Sequence, residues 1–178
     1  MADLYALTER AMGMGDADWR RHANPWSVWT RFSCLPVLVI AIWSRVWIGW
    51  WALLAVGVAV LWIWANPRVF APPSDFGAWA SRVTLGERVF LARDVYGVAA
   101  HHVRAAHVLS GLSVAGVVPL IYGLIVLSPW ATLLGLIATV LPKVWFCDRM
   151  VWLHADLTHT VPGDPMLEPL MPPERTKI

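Results

Sequence analysis

The chain has 178 residues, of which 58% are hydrophobic and 15% are charged, and it carries a formal net charge of +2. Soluble domains place charged residues at about a quarter of their positions, so this composition excludes an ordinary soluble fold and predicts an integral membrane protein. No nucleic-acid partner is expected for such a chain.

Four apolar segments follow one another in two pairs. The first pair occupies residues 27–45 and 46–65, and the second occupies residues 105–127 and 130–153. Each segment is close to the ~20 residues that a helix needs to cross the hydrocarbon core of a bilayer. They predict an all-α fold, an integral membrane four-helix bundle built from two transmembrane hairpins.

The segments outside the hairpins complete the predicted organisation. Residues 1–26 form an N-terminal segment, 27–65 the first hairpin, 66–104 an amphipathic loop, 105–153 the second hairpin, and 154–178 a Pro-rich tail. The loop carries two helix signals. Ser74 is placed to cap a short helix with Phe76, Trp79, Ala80 and Val83 on one face, and the sequence from Thr84 to Glu87 has the spacing of a capping box. Both helices are expected to lie in the membrane plane.

The distribution of Lys and Arg predicts the orientation in the membrane. Of the 14 Lys and Arg residues, all except Arg45 fall in the segments on one side of the two hairpins. Cationic residues in short loops are retained in the cytoplasm during insertion. The chain is therefore expected in a bacterial inner (plasma) membrane, as a multi-pass protein with both termini and the amphipathic loop cytoplasmic.

Ionisable side chains that enter the hydrocarbon mark the candidate binding site, because each costs at least ~2.5 kcal/mol at the centre of a helix. Arg31, Lys143, Asp148 and Arg149 fall in the inner halves of the first and fourth helices. Asp148 is expected to meet Arg31 or an Arg of the loop. The predicted ligand-binding network, roofed by the loop, consists of Arg31, Glu87, Arg88, His101, Lys143, Asp148 and Arg149. In the alternative interpretation the cations extend to the headgroups and the network is a structural tie.

Histidines near the same boundary offer a metal site as an alternative. Imidazoles and carboxylates at the inner ends of four helices could hold metal ions, as in membrane lipid hydroxylases. His102 and His107, and likewise His154 and His159, are separated by ~500° of helical rotation, so neither pair chelates within a regular helix. His101, His102, His154 and His159 remain the candidate ligands, and no metal or other cofactor is assigned.

Five sequence motifs resemble those of a known family. They are HANPWSVWTR at residues 22–31, NPR at 66–68, LGERV at 85–89, AHHVR at 100–104 and KVWFCDRMVWL at 143–153. Together they resemble an uncharacterised family of small prokaryotic four-helix integral membrane proteins, over about residues 20–156. The resemblance implies the architecture and supplies no activity.

Three classes of function are compatible with this organisation. The favoured class is a binding or accessory protein whose polar pocket in the cytoplasmic leaflet accepts an anionic or amphipathic ligand such as lipid. The second is a membrane-embedded enzyme, with or without a His-ligated metal, that acts on lipid or quinone-like substrates, and its catalytic residues are unknown. The third is an oligomeric transporter or channel. Membrane lipids are the expected partners, together with a homo-oligomer or a larger membrane complex.

Overall fold

A computed structural model of the protein describes residues 16–160, and this part of the chain contains helices and no strand. Three helical stretches are long and apolar enough to cross a membrane, namely Pro25–Val69, Ala100–Val126 and Pro129–His159. The all-α, membrane-type class predicted from the composition is confirmed at this level.

Eight α-helices make up the described part. They are α1 Asp16–His22, α2 Pro25–Trp43, α3 Arg45–Ile48, α4 Ala52–Val69, α5 Trp79–Leu91, α6 Arg93–Tyr96, α7 Ala100–Val126 and α8 Pro129–Thr160, with a 3-10 turn at Gly49–Trp51 between α3 and α4.

The first apolar stretch folds back on itself. Asn24 caps α2, because its side chain accepts a hydrogen bond from the Trp26 amide at 2.9 Å and Pro25 needs no donor at the first helical position. After the turn, where Gly49 adopts a φ of +56°, the chain returns as α4. Ser27 near the start of α2 bonds Asn66 near the end of α4 at 3.2 Å, so the two helices run antiparallel.

Helices α7 and α8 form a second antiparallel pair with very close backbones. A Cβ atom on Gly116 would lie 2.5 Å from the Ala138 carbonyl carbon, and one on Gly135 would lie 2.2 Å from the Leu120 nitrogen. Small residues permit this approach, which favours helix association in lipid, where the hydrophobic effect provides no drive. The pair therefore packs backbone against backbone along much of its length.

The segment that links the two pairs contains one main helix in place of the two that were predicted. Ser74 does not cap a helix, since the chain is irregular before Trp79, and α5 passes without interruption through the predicted capping box at Thr84. Thr84 is buried and bonds the Ala80 carbonyl of the preceding turn. Packing of this face against the rest of the protein overrides the local start signal.

Helix α5 packs directly on α8. Val83 and Phe90 of α5 join Phe146, Met150 and Leu153 of α8 in a single buried hydrophobic cluster. At the centre of the contact Gly86 faces the Met150 backbone, and a Cβ on Gly86 would lie 2.0 Å from the Met150 carbonyl oxygen. Only glycine fits at this position.

Helix α8 runs past the predicted end of the second hairpin. The predicted boundary between the second hairpin and the tail falls at residue 153, but α8 continues to Thr160. The Thr158 hydroxyl bonds the His154 carbonyl within this extension. The rest of the predicted Pro-rich tail, and the first fifteen residues of the predicted N-terminal segment, lie outside the described residues.

Replacing Gly86 tests the contact between α5 and α8. We expect Gly86→Ala to reduce the free energy of unfolding by at least ~2 kcal/mol, because the new methyl group overlaps the Met150 backbone. The apparent Tm of the detergent-solubilised protein should fall by roughly 5 °C. The matched control is Gly57→Ala on α4, where a Cβ meets nothing within 4 Å. Equal Tm values for the two variants would contradict the packing.

Candidate functional site

The predicted site residues lie in the half of the described structure that contains α1, α5, the start of α2, the end of α4, the start of α7, and the middle and end of α8. We call this half the polar end. The two turns that connect α2 with α4 and α7 with α8 lie at the opposite end. Arg45 is in the first of these turns, and its guanidinium donates to the backbone carbonyls of Leu124 and Ile125 in the last turn of α7. This interaction links the two helix pairs away from the polar end.

A chain of hydrogen bonds joins three helices at the polar end. The Arg31 guanidinium lies 3.0 Å from His22 Nε2, and His22 Nδ1 lies 2.9 Å from the Ser27 hydroxyl. Ser27 donates to Asn66 Oδ1 at 3.2 Å, and Asn66 Nδ2 donates to the Thr30 hydroxyl at 2.7 Å. These side chains belong to α1, α2 and α4, so the chain fixes the mutual positions of the three helices.

The direction of this chain follows from the chemistry of its first member. A guanidinium only donates hydrogen bonds, so His22 Nε2 must accept from Arg31, and the proton of the neutral ring is on Nδ1. His22 then donates to Ser27, and each later bond points the same way. The chain ends where Thr30 donates to the Trp26 carbonyl at 2.6 Å. Each buried polar atom in it thus has a partner of the correct type.

His22 is held in its neutral form. Burial, followed by the positive charge of Arg31, lowers the pKa of His22 from 6.5 to about 4. Only 5% of the residue is exposed, and protonation would place a second cation beside the guanidinium, which the more weakly acting charge of Glu87 does not offset. The neutral ring is therefore part of the structure at physiological pH.

An ion pair lies beside this chain. Lys143 Nζ of α8 is 2.9 Å from Glu87 Oε1 of α5, and the Lys143 side chain is half exposed whereas that of Glu87 is mostly covered. Burial raises the pKa of Glu87, but the charge and hydrogen bond of Lys143, with smaller contributions from His22 and Arg31, outweigh it and lower the pKa overall. Arg31, Lys143 and Glu87 thus form one electrostatic cluster with His22, which we call the cationic cluster because it has two positive charges and one negative charge.

The other predicted site residues are placed apart from this cluster. Asp148 was expected to meet Arg31 or an Arg of the loop, but it accepts a hydrogen bond from the Trp79 indole at 3.2 Å. Trp79 also stacks on Trp29 at 5.5 Å, so Asp148 connects α8 through α5 to α2. The Arg149 guanidinium lies 4.8 Å from the centre of the Trp152 ring.

His101 and Arg88, the remaining members of the predicted network, lie on α7 and α5. His101 lies at the start of α7, where its ring centre is 4.1 Å from that of His102. Arg88 lies in the last turn of α5. The single predicted network is therefore divided into the cationic cluster, the Trp79–Asp148 bond and a separate histidine pair.

Two residues that organise the site are not predicted from the sequence. Ser27 and Asn66 are fully buried, yet neither was assigned to the network. Their signal was present in the sequence, since both belong to motifs quoted for the family resemblance. What the sequence did not provide is the pairing of these motifs across almost forty residues.

One group in the described part of the chain has donor atoms arranged for a metal ion. His101, His102 and Asp156 each offer one ligand atom, and these atoms all lie within 4.8 Å of one another. His154 and His159, the other two candidates from the sequence, are not in this group. Asp156 is not among the candidate ligands from the sequence.

Comparison with known proteins places this all-helical chain in a family. Residues 5–168 match the model of a family of unknown function, DUF6653, and the chain belongs to that family. This agrees with the uncharacterised family inferred from the motifs. No curated protein and no solved structure matches the chain.

The state of His22 predicts how stability depends on pH. Because the pKa is about 4 in the folded protein and near 6.5 in the unfolded chain, the unfolded chain binds the proton more readily between these values. The contribution of neutral His22 is complete above pH 6.5 and is lost as the pH falls toward 4. We expect the imidazole NMR signal of His22, assigned with His22→Gln, to titrate near pH 4. A midpoint near 6.5 would show that Arg31 and burial do not hold the ring neutral.

Proposed function

We propose that the protein crosses the inner membrane of a bacterium four times, with the polar end and both termini in the cytoplasm. Two antiparallel helix pairs with turns at the same end support this topology, since each of the four long helical segments is long enough to span the hydrocarbon core. The location of all Lys and Arg residues except Arg45 on one side supports the orientation.

The proposed activity is reversible binding of an anionic or amphipathic molecule, such as a phospholipid with its headgroup, by the cationic cluster. The observation that carries it is that Glu87, the one carboxylate of this cluster, is paired with Lys143 at 2.9 Å, while the cluster has a second cation, Arg31, whose charge also acts on Glu87. With His22 neutral, the cluster has an excess positive charge at the depth of the headgroups and upper acyl chains. A negatively charged ligand group would neutralise it.

The chemistry of the two cations suits a phosphate or carboxylate. Arg has five N–H donors in a planar fork that matches two anionic oxygens, and within the described part of the chain one of these donors bonds His22. Half of the Lys143 side chain is exposed, and its ammonium bonds Glu87 at the surface of the helices. A ligand that enters from the bilayer would meet both groups.

The structural role of the same residues does not exclude binding. Glu87 and Lys143 tie α5 to α8, and Arg31 orients His22. An ion pair that only connects two helices needs equal numbers of positive and negative charges, whereas this cluster has two cations and one carboxylate. This excess positive charge is the feature by which a binding site differs from a purely structural ion pair.

The topology is tested by labelling of single-cysteine variants in intact cells. On a background without Cys34 and Cys147, we expect a cysteine placed at Ser44 to react with a membrane-impermeant maleimide, because it would lie in an outer turn. A cysteine in place of Asp75, before α5, should react only after the cells are opened. Labelling of the Asp75 position in intact cells would overturn the proposed orientation.

Binding is tested by native mass spectrometry of protein released from nanodiscs that contain equal amounts of phosphatidylglycerol and phosphatidylcholine. We expect the wild type to retain phosphatidylglycerol, and Arg31→Gln with Lys143→Gln to lower the retained fraction about tenfold or more, since a charged hydrogen bond is worth about 1.5–3 kcal/mol.

Arg104→Gln is the matched control, because Arg104 is an exposed cation at the same end whose Nε donates to the Ala100 carbonyl of its own helix. Lys143→Arg keeps the charge and should retain the lipid. Retention that is equal for the double variant and for Arg104→Gln, or no preference for the anionic lipid in the wild type, would refute specific binding.

A further inference from the structure

A cleft of about 400 Å³ opens at the polar end, where the start of α7 lies beside the end of α8. His101, His102 and Asp156 line it, together with Tyr96 of α6 and Leu153 of α8. It is formed by different residues from those of the cationic cluster. The cleft is therefore a site distinct from the cationic cluster.

The three polar side chains in the cleft are brought together by two helices. His101 and His102 are consecutive residues in the first turn of α7, and their ring centres are 4.1 Å apart. Asp156 comes from the last turns of α8, and its Oδ2 lies 2.8 Å from His102 Nε2. Because one donor atom from each residue lies within 4.8 Å of the other two, small side-chain rotations can point all three at one ion.

The burial of these groups differs in a way that suits an ion entering from water. His102 is 2% exposed and fixed by its neighbours, whereas His101 and the Asp156 carboxylate are open to the cleft. The fixed imidazole would provide the base of the site, and the two exposed ligands would close on the ion. Such a site is partly preformed in the absence of metal.

The two ring nitrogens of His102 have different surroundings. Nε2 lies 2.8 Å from the Asp156 carboxylate, whereas Nδ1 is fully buried and has no hydrogen-bond partner within the described residues. Because the two nitrogens face opposite sides of the ring, the ion would bind Nε2, on the side of Asp156, and the proton of the neutral ring would move to Nδ1.

Charge near the cleft is balanced. The start of α7 contributes partial positive charge and the end of α8 partial negative charge, and the two helices are antiparallel, so their dipoles largely cancel there. Arg149 is the cation whose charge acts on His102, and its guanidinium lies over the Trp152 ring. The Asp156 carboxylate is the anion beside the two imidazoles, and it would offset half the charge of a divalent ion.

We propose that His101, His102 and Asp156 bind one divalent first-row transition-metal ion, such as Zn²⁺, in this cleft. Two imidazoles with one carboxylate are ligands that Zn²⁺ and Fe²⁺ accept and that Mg²⁺ and Ca²⁺ do not favour. Three protein ligands leave at least one coordination position directed at the cleft, for water or for a small molecule.

The test uses the full-length protein without an affinity tag, treated with EDTA and then titrated with Co²⁺, whose visible absorption reports nitrogen and oxygen coordination. Zn²⁺ affinity follows from displacement of Co²⁺. We expect saturation at one ion per chain, and a loss of affinity of about 100-fold or more for His101→Ala and for Asp156→Asn, since even partners of metal ligands contribute 10–100-fold.

His159→Ala is the matched control, because His159 is an exposed histidine on α8 close to the same end and outside the donor group. Both test variants change exposed residues, and a Tm measured in EDTA verifies that they fold. No saturable Co²⁺ spectrum, or equal losses in His159→Ala and His101→Ala, would overturn the site. Failure of the lipid experiment would leave this result unaffected, since the two sites share no residue.

Discussion

The contact of α5 with α8 at Gly86 is the constraint on which the rest of the structure depends. Because the Met150 backbone occupies the space of a side chain, α5 lies as close to α8 as two helices can pack. The next residue, Glu87, then reaches Lys143, and Trp79 at the start of the same helix reaches Asp148. A larger residue at position 86 would move each of these groups away from its partner.

Polar groups near a bilayer must satisfy one another, and this explains why one motif carries so many of them. His22, Ser27, Thr30 and Arg31 belong to a single stretch of ten residues, and Asn66 of the second motif bonds Ser27 and Thr30. In a medium with little water each of these side chains would be costly alone. Together they form a one-way series of donors and acceptors that begins at a guanidinium and ends at a backbone carbonyl.

The sequence predicted what depends on local chemistry. Composition indicated the membrane-type class, the apolar segments overlap α2, α4, α7 and α8 with end points that differ by up to seven residues, and Asn24 with Pro25 identified the start of α2. The sequence did not predict the features that depend on packing between residues far apart in the chain. Thr84 does not begin a helix because its face of α5 is buried. Asp148 bonds an indole instead of a guanidinium because Trp79, held by stacking on Trp29, lies next to it.

Helices α7 and α8 are packed more tightly against each other than α2 and α4 are. Gly116 and Gly135 lock α7 to α8, and Gly86 locks α5 to the same helix, whereas Gly57 on α4 faces open space and the α2–α4 stretch is the least buried of the three apolar stretches. The chain thus consists of a stiff frame and a looser arm. Lys143 belongs to the frame and Arg31 to the arm, so the two cations of the proposed binding site stand on parts of the protein that differ in packing density.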